Sequence, residues 1–145
     1  MFVLGVLAQV PAKPAPIETA HLTVALSAAA VTAGGKTTLF LDVTPKPKMH
    51  VYSPGQEGYI AIALTLDTDP GVVAAKAKYP AGEKYVMPAL NETILVYGKP
   101  FRITQAVTIR PSAGPKTIKG SLRYQACDDQ ICYLPKTVSV EWTIK

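Results

Sequence analysis

The residues of this chain best equipped for chemistry are its two cysteines, Cys127 and Cys132, in the stretch LRYQACDDQICYLP at residues 122–135. Asp128-Asp129-Gln130-Ile131 lie between them, a workable loop for two extended segments that turn back as a β-hairpin. Residues opposite each other on antiparallel strands have Cα atoms about 4.5 to 5.5 Å apart. A disulfide accepts separations of roughly 4.4 to 6.8 Å. If the two cysteines flank the loop as partners, at the tip of the hairpin, they bridge without moving the backbone.

Such a bridge is either a staple or a reaction centre. Closing a loop of about six residues constrains the unfolded chain by only ~2 kcal/mol, against about 5 kcal/mol for about 100 residues. A stabilising disulfide does more by linking distant strands, so the staple reading is weak, although short-loop structural disulfides exist. Metal ligation is weaker still. His21 or His50 could join the cysteines, but no zinc-type spacing is present, and neither a metal nor another cofactor is expected. The redox reading ranks first, and the neighbours narrow its mechanism. A nucleophilic cysteine usually sits beside a cation or a helix N-terminus. Here Asp128 and Asp129 follow Cys127, and their carboxylates disfavour a thiolate. The expected chemistry is that of a passive shuttle: a partner's low-pKa cysteine attacks the disulfide, and another partner later reoxidises the pair.

The elements that must position these residues read as strands. Period-two alternation runs through most of the sequence and marks half-buried strands. Leu22, Val24 and Leu26 alternate with Thr23, Ala25 and Ser27. Leu39, Leu41 and Val43 follow the turn Ala33-Gly34-Gly35, and Ile60, Ile62, Leu64 and Leu66 form another face. Further strands are expected at residues 72–79, 93–97, 101–109, 116–126 and 132–144. In the last of these Val138, Val140, Trp142 and Ile144 point one way and Ser139, Glu141, Thr143 and Lys145 the other, so Trp142 is read as core. Residues 28–33 carry only a hint of helix, cut short by Val31, Thr32 and the two glycines. About eight strands with turn signals between them indicate an all-β antiparallel sandwich.

Composition agrees. With 145 residues, 48% of them apolar, one domain can bury a full core without further crosslinks. The net charge of +5 is scattered over Lys46 and Lys48, Lys76 and Lys78, Lys116 and Lys119. No run interleaves these with aromatics, so a solvated basic surface is favoured over a nucleic-acid partner. Residues 1–10 (MFVLGVLAQV) are apolar but too short to span a bilayer, which takes about 20 residues. They read as the end of a signal-peptide h-region, with Val6 and Ala8 before a cleavage point and no basic n-region ahead of it. The expected division is a leader at residues 1–20 and one domain at residues 21–145 of an exported protein. A first strand docked on the sheet is the alternative for the leader.

The residues around the cysteines also carry a family resemblance. Tyr124-Gln125-Ala126-Cys127-Asp128-Asp129, followed by Cys132 and Pro135, resembles the signature of the N-terminal periplasmic domain of the DsbD-type thiol:disulfide interchange proteins. The resemblance extends roughly from His21 to Lys145, specific at the cysteines and looser elsewhere. Met49-His50-Val51-Tyr52 resembles the family segment that sets aromatic rings beside the disulfide. Val96-Tyr97-Gly98-Lys99 resembles the cap loop that covers the cysteines until a partner displaces it.

The resemblance implies an immunoglobulin-like fold and a periplasmic or otherwise exported location. It implies a cysteine pair that passes reducing equivalents from a membrane-embedded electron donor, or from C-terminal domains beyond this chain, to thioredoxin-like exported proteins. It further implies that Cys132 forms the mixed disulfide and Cys127 resolves it. His50, Tyr52, Val96, Tyr97, Tyr124, Asp128 and Asp129 would then shape access and potential. In two places the chain departs from the family: Val96 stands for an aromatic cap residue and His50 for an aromatic beside the site.

Without the resemblance, Tyr52, Tyr97 and Tyr124 read as strand residues with satisfied hydroxyls, His50 as a turn-edge residue and Asn91-Glu92-Thr93 as a chance glycosylation sequon. Two other functions stay open. One is an immunoglobulin-like binding module whose disulfide only pins a hairpin; the other is an assembly domain that offers a sheet edge to a partner. In each case the chain is read as a monomer.

Overall fold

Segments that alternate apolar and polar residues must each bury one face, and the chain does so with twelve strands and no helix among the described residues. The computed structural model describes residues 14–55, 58–88, 91–111 and 114–145. The apolar stretch at residues 1–10, read as a signal-peptide end, lies outside them. Every strand pairing in the described residues is antiparallel.

Five strands form the first sheet, in the order β1 (Ile17–Glu18), β2 (Leu22–Ala28), β3 (Lys36–Pro45), β9 (Phe101–Ile109) and β6 (Val72–Ala74). The second runs β12 (Lys136–Ile144), β10 (Lys116–Tyr124), β5 (Ala63–Leu66). A third, of short strands, runs β11 (Ala126–Cys127), β4 (His50–Tyr52), β8 (Glu92–Tyr97), β7 (Glu83–Met87). The result is an immunoglobulin-like antiparallel sandwich.

Its main core joins Leu22 and Val24 of β2, Leu39, Leu41 and Val43 of β3, and Ile103 and Val107 of β9 to Ile118 and Leu122 of β10 and Val140, Trp142 and Ile144 of β12. Each fully buried aliphatic chain contributes roughly 1.5–3 kcal/mol, so this core, and not a crosslink, holds the sandwich. Trp142 is buried as expected, and its Nε1–H donates to the Phe40 carbonyl at 3.4 Å.

Several strands are shorter than the alternation suggested. Only Ala63–Leu66 of the expected 60–66 pairs in a ladder, while Ile62 gives its N–H to the Tyr52 carbonyl. Of residues 72–79 only Val72–Ala74 is strand, with a single bridge from Lys78 to Thr104 further on. Residues 28–33 hold no helix. Gly35, at φ 76°, closes the turn into β3, and a Cβ there would meet the Ile109 carbonyl oxygen at 2.3 Å. A strand also lies ahead of residue 21. β1 pairs Ile17 with Val24, and Ile17 packs against the core.

Candidate functional site

The disulfide sits where the chain changes sheets. β10 and β12 pair from Lys116↔Ile144 out to Tyr124↔Lys136. There Gln125 breaks the ladder: its carbonyl accepts from Tyr52 N–H at 3.3 Å and its Nε2 donates to the Tyr133 carbonyl at 3.0 Å. The next two residues form β11 against β4, with Ala126 opposite Val51 and Cys127 opposite His50. Ala126 enters the main core, while Cys127 turns to the other face of the small sheet, beside Tyr52, Met87, Ile94 and Val96. The cysteines therefore do not cap one continuous hairpin, as the sequence suggested. On the return side Pro135 has no N–H to give a ladder, and β12 starts only at Lys136.

Cys127 and Cys132 nevertheless face each other across an isolated antiparallel bridge. The bonds that frame it run from Asp128 N–H to the Ile131 carbonyl (3.0 Å) and from Tyr133 N–H to the Ala126 carbonyl (2.9 Å). They flank the cysteines without involving their own backbone groups. The two are thus a non-hydrogen-bonded pair, the kind whose side chains approach most closely. Their Cα atoms are 4.0 Å apart and their sulfurs are bonded.

The two sulfurs belong to residues in unlike surroundings. Cys127 is 1% exposed, whereas Cys132 is exposed. Two apolar residues close to Cys132 in sequence are open to solvent, Ile131 at 53% and Leu134 at 80%. Tyr52 lies against both sulfurs, its Oη 3.0 Å from Cys127 Sγ and 3.2 Å from Cys132 Sγ. Burial first, and then the charge of Glu92, raises the Tyr52 phenol above its ordinary pKa.

The loop carboxylates are occupied. Asp128 Oδ1 accepts from Gln130 N–H and Ile131 N–H, each at 2.8 Å, and Oδ2 accepts from Tyr133 O–H at 2.7 Å. These bonds, Tyr133's first, hold its carboxyl below the usual range. Asp128 thus shapes the loop by bonding its amides. Asp129 Oδ1 accepts from Tyr85 O–H, which ties the loop to β7. The Tyr85 ring stacks on His50 at 3.9 Å.

Among the other residues expected at the site, His50 and Val96 lie on the disulfide's face of the small sheet. Val96 is a buried residue of β8 paired with Tyr52, and with Tyr97 it belongs to a strand, so only Gly98 and Lys99 of that stretch fall in a turn. Tyr97 and Tyr124 belong to the main core instead. The Tyr97 hydroxyl donates to the Pro80 carbonyl at 2.6 Å, and that of Tyr124 to Thr19 Oγ1 at 2.8 Å. Sequence reasoning missed Tyr59, Tyr85, Met87, Ile94 and Tyr133. The alternation of Glu83, Tyr85 and Met87 with Lys84 and Val86 was the available signal for β7. Among the described residues no group of three or more His, Cys, Asp or Glu could hold a metal ion.

The arrangement joins a buried cysteine to an exposed one, with one hydroxyl against both sulfurs. A family model described as "Thiol:disulfide interchange protein DsbD, N-terminal" matches residues 18–143. A search of curated proteins finds no match. Among solved structures, the N-terminal periplasmic domain of ScsB from Proteus mirabilis aligns with a TM-score of 0.61 and 16% identity, covering 85% of this chain and 46% of that one. This chain thus spans less than half of that chain's length. The GAE domain of yeast GGA1 aligns at TM-score 0.53 and 10% identity, over 89% of this chain and 95% of that one. The DsbD N-terminal domain of Neisseria meningitidis in the reduced form aligns at 0.47 and 16%, over 83% and 90%. At 10% and 16% identity these structures show the fold and do not choose the function. The family match and the cysteine pair do.

Proposed function

We propose that this chain, which belongs to the family of DsbD N-terminal domains of thiol:disulfide interchange proteins, relays reducing equivalents in the periplasm from a membrane-embedded donor to thioredoxin-like partners. Thiol–disulfide interchange is the family's chemistry; the relay, the partners and the location are our reading. The observation that carries it is the contrast between a buried Cys127 and an exposed Cys132. A partner thiolate attacks Cys132 Sγ, the S–S bond breaks, and its electron pair stays on Cys127 Sγ. The partner's second thiol then releases the reduced pair. In the forward step Cys132 attacks an oxidised partner, and Cys127 resolves that mixed disulfide and restores the bond. Ile131 and Leu134 give the partner an apolar rim around the attacked sulfur.

A bridge across five residues of sequence is a weak staple, worth about 2 kcal/mol by loop entropy, which supports exchange over structure. Equilibration with glutathione buffers tests the choice. A relay disulfide should have a reduction potential above about −300 mV, and a value below that is the mark of a structural bridge.

A further inference from the structure

We propose that Tyr52 is a catalytic residue of the exchange: its hydroxyl holds the Cys127 sulfur as that sulfur leaves as a thiolate. The inference rests on the relay reading for which sulfur is attacked, and it adds a group that touches both reacting atoms. Tyr52 Oη is 3.0 Å from Cys127 Sγ and 3.2 Å from Cys132 Sγ. Neither sulfur of a disulfide carries a proton, so in the oxidised pair the phenol donates and the sulfurs accept. A hydroxyl hydrogen can rotate between two such acceptors.

Attack at Cys132 changes what the hydroxyl meets. The partner's sulfur bonds to Cys132 Sγ, and the electron pair of the broken bond collects on Cys127 Sγ. This residue is 1% exposed, and a charge left there without water or a partner is costly. Other help is scarce among the described residues. The carboxyl groups of Asp128 and Asp129 act as acceptors, engaged with the loop and with Tyr85. His50 stands opposite Cys127, but its buried Nδ1 makes no hydrogen bond. Tyr52 O–H remains the donor on the leaving sulfur. A hydrogen bond to an ion is roughly twice as strong as one between neutral groups. The contact therefore strengthens as charge develops, which is the condition for accelerating the step and not merely binding its reactant.

The surroundings of Tyr52 keep its proton in place. Its ring packs on Tyr59 at 4.6 Å, and Tyr59 O–H donates to Glu92 Oε2. Tyr52 then donates a hydrogen bond without giving up the proton, and Cys127 remains a thiolate. In the return step that thiolate attacks Cys132 Sγ of the mixed disulfide, and the partner's sulfur leaves with the bonding pair.

Tyr52→Phe keeps the ring and removes only the hydroxyl. Reduction of the disulfide by dithiothreitol at fixed pH should slow about tenfold, since ionic hydrogen bonds are worth that much or more. In the reduced Cys132→Ser background, the Cys127 thiol should titrate about one unit higher in Tyr52→Phe, read from thiolate absorbance. An unchanged thiol pKa overturns the proposal, whether or not the rate falls, because a slower rate alone means that Tyr52 only governs access. A second measurement needs no substitution at Tyr52. In the reduced Cys132→Ser protein the carbon-13 resonance of Tyr52 Cζ should move with the Cys127 midpoint, and a resonance that ignores it also overturns the proposal. With a small thiol as reagent, these outcomes are independent of whether a protein partner is captured, which is what decides the relay reading.

Discussion

Cys127 and His50 are cross-strand partners between β11 and β4, so their side chains share the face of the small sheet that carries the disulfide. The His50 ring lies between Tyr85, stacked at 3.9 Å, and Gly98, where a Cβ would come within 3.1 Å of His50 Cδ2. Among the described residues its buried Nδ1 has no hydrogen-bond partner. His50→Phe retains a ring against Tyr85 and removes that atom. A buried unpaired polar group costs about 1–3 kcal/mol, so the variant should unfold at higher urea concentration, by about 1 kcal/mol. A less stable variant would show that the imidazole makes a contact in solution that its surroundings here do not provide.

Gly120 lies mid-strand in β10, where glycine is ordinarily a weakness. A Cβ there would meet the Thr65 carbonyl oxygen at 2.7 Å and Leu66 Cα at 3.2 Å, both of them backbone atoms of β5. Gly120→Ala should therefore destabilise the oxidised protein by about 1–3 kcal/mol through strain against β5. Urea midpoints of the two proteins at one pH give the comparison, and equal midpoints contradict it.

His21 should make stability depend on pH near neutrality. It is 5% exposed, and because Tyr124 O–H is given to Thr19, His21 Nδ1–H donates to the Tyr124 oxygen at 3.2 Å. Burial, then Lys136 and Lys46, lower its pKa below the ordinary 6.5. As pH falls through about 6.5 the unfolded chain takes up a proton that the folded chain refuses, so stability declines from there down to the folded value. His21→Gln should flatten the change in urea midpoint between about pH 7.5 and about pH 5.5. Identical slopes in the two proteins contradict the assignment.

Asp128 should order the loop between the cysteines. Its carboxyl, held low by Tyr133 O–H and the amides of Ile131 and Gln130, supports the fold above the ordinary carboxylate pKa and loses that effect as pH falls through its depressed value. Asp128→Ala should speed amide exchange at Gln130 and Ile131, whose N–H groups it accepts. Exchange that stays slow in the variant would mean that the loop holds itself.

The long strands were legible because each buries one face and exposes the other, as β12 does from Val138 to Ile144. The small sheet was not. Ala126 and Cys127 are consecutive and both buried, on opposite faces, which erases a period of two. In β7 the exposed Val86 blurs the alternation of Tyr85 and Met87. The same one-residue step separates Tyr97 from the site. It follows Val96 along β8, so the pleat turns it into the main core while Val96 joins Cys127. Cysteine type and spacing revealed the pair, but the burial that distinguishes one sulfur from the other depends on the pairing of β11 with β4.

That distinction is tested most directly by trapping. Cys127→Ala and Cys132→Ala proteins would each be incubated with an exported thioredoxin-like protein and resolved without reductant. Cys127→Ala should accumulate a mixed disulfide through Cys132, while Cys132→Ala should give little or none. An adduct formed chiefly through Cys127, or none with either variant, would contradict a relay in which Cys132 is the exchanging sulfur.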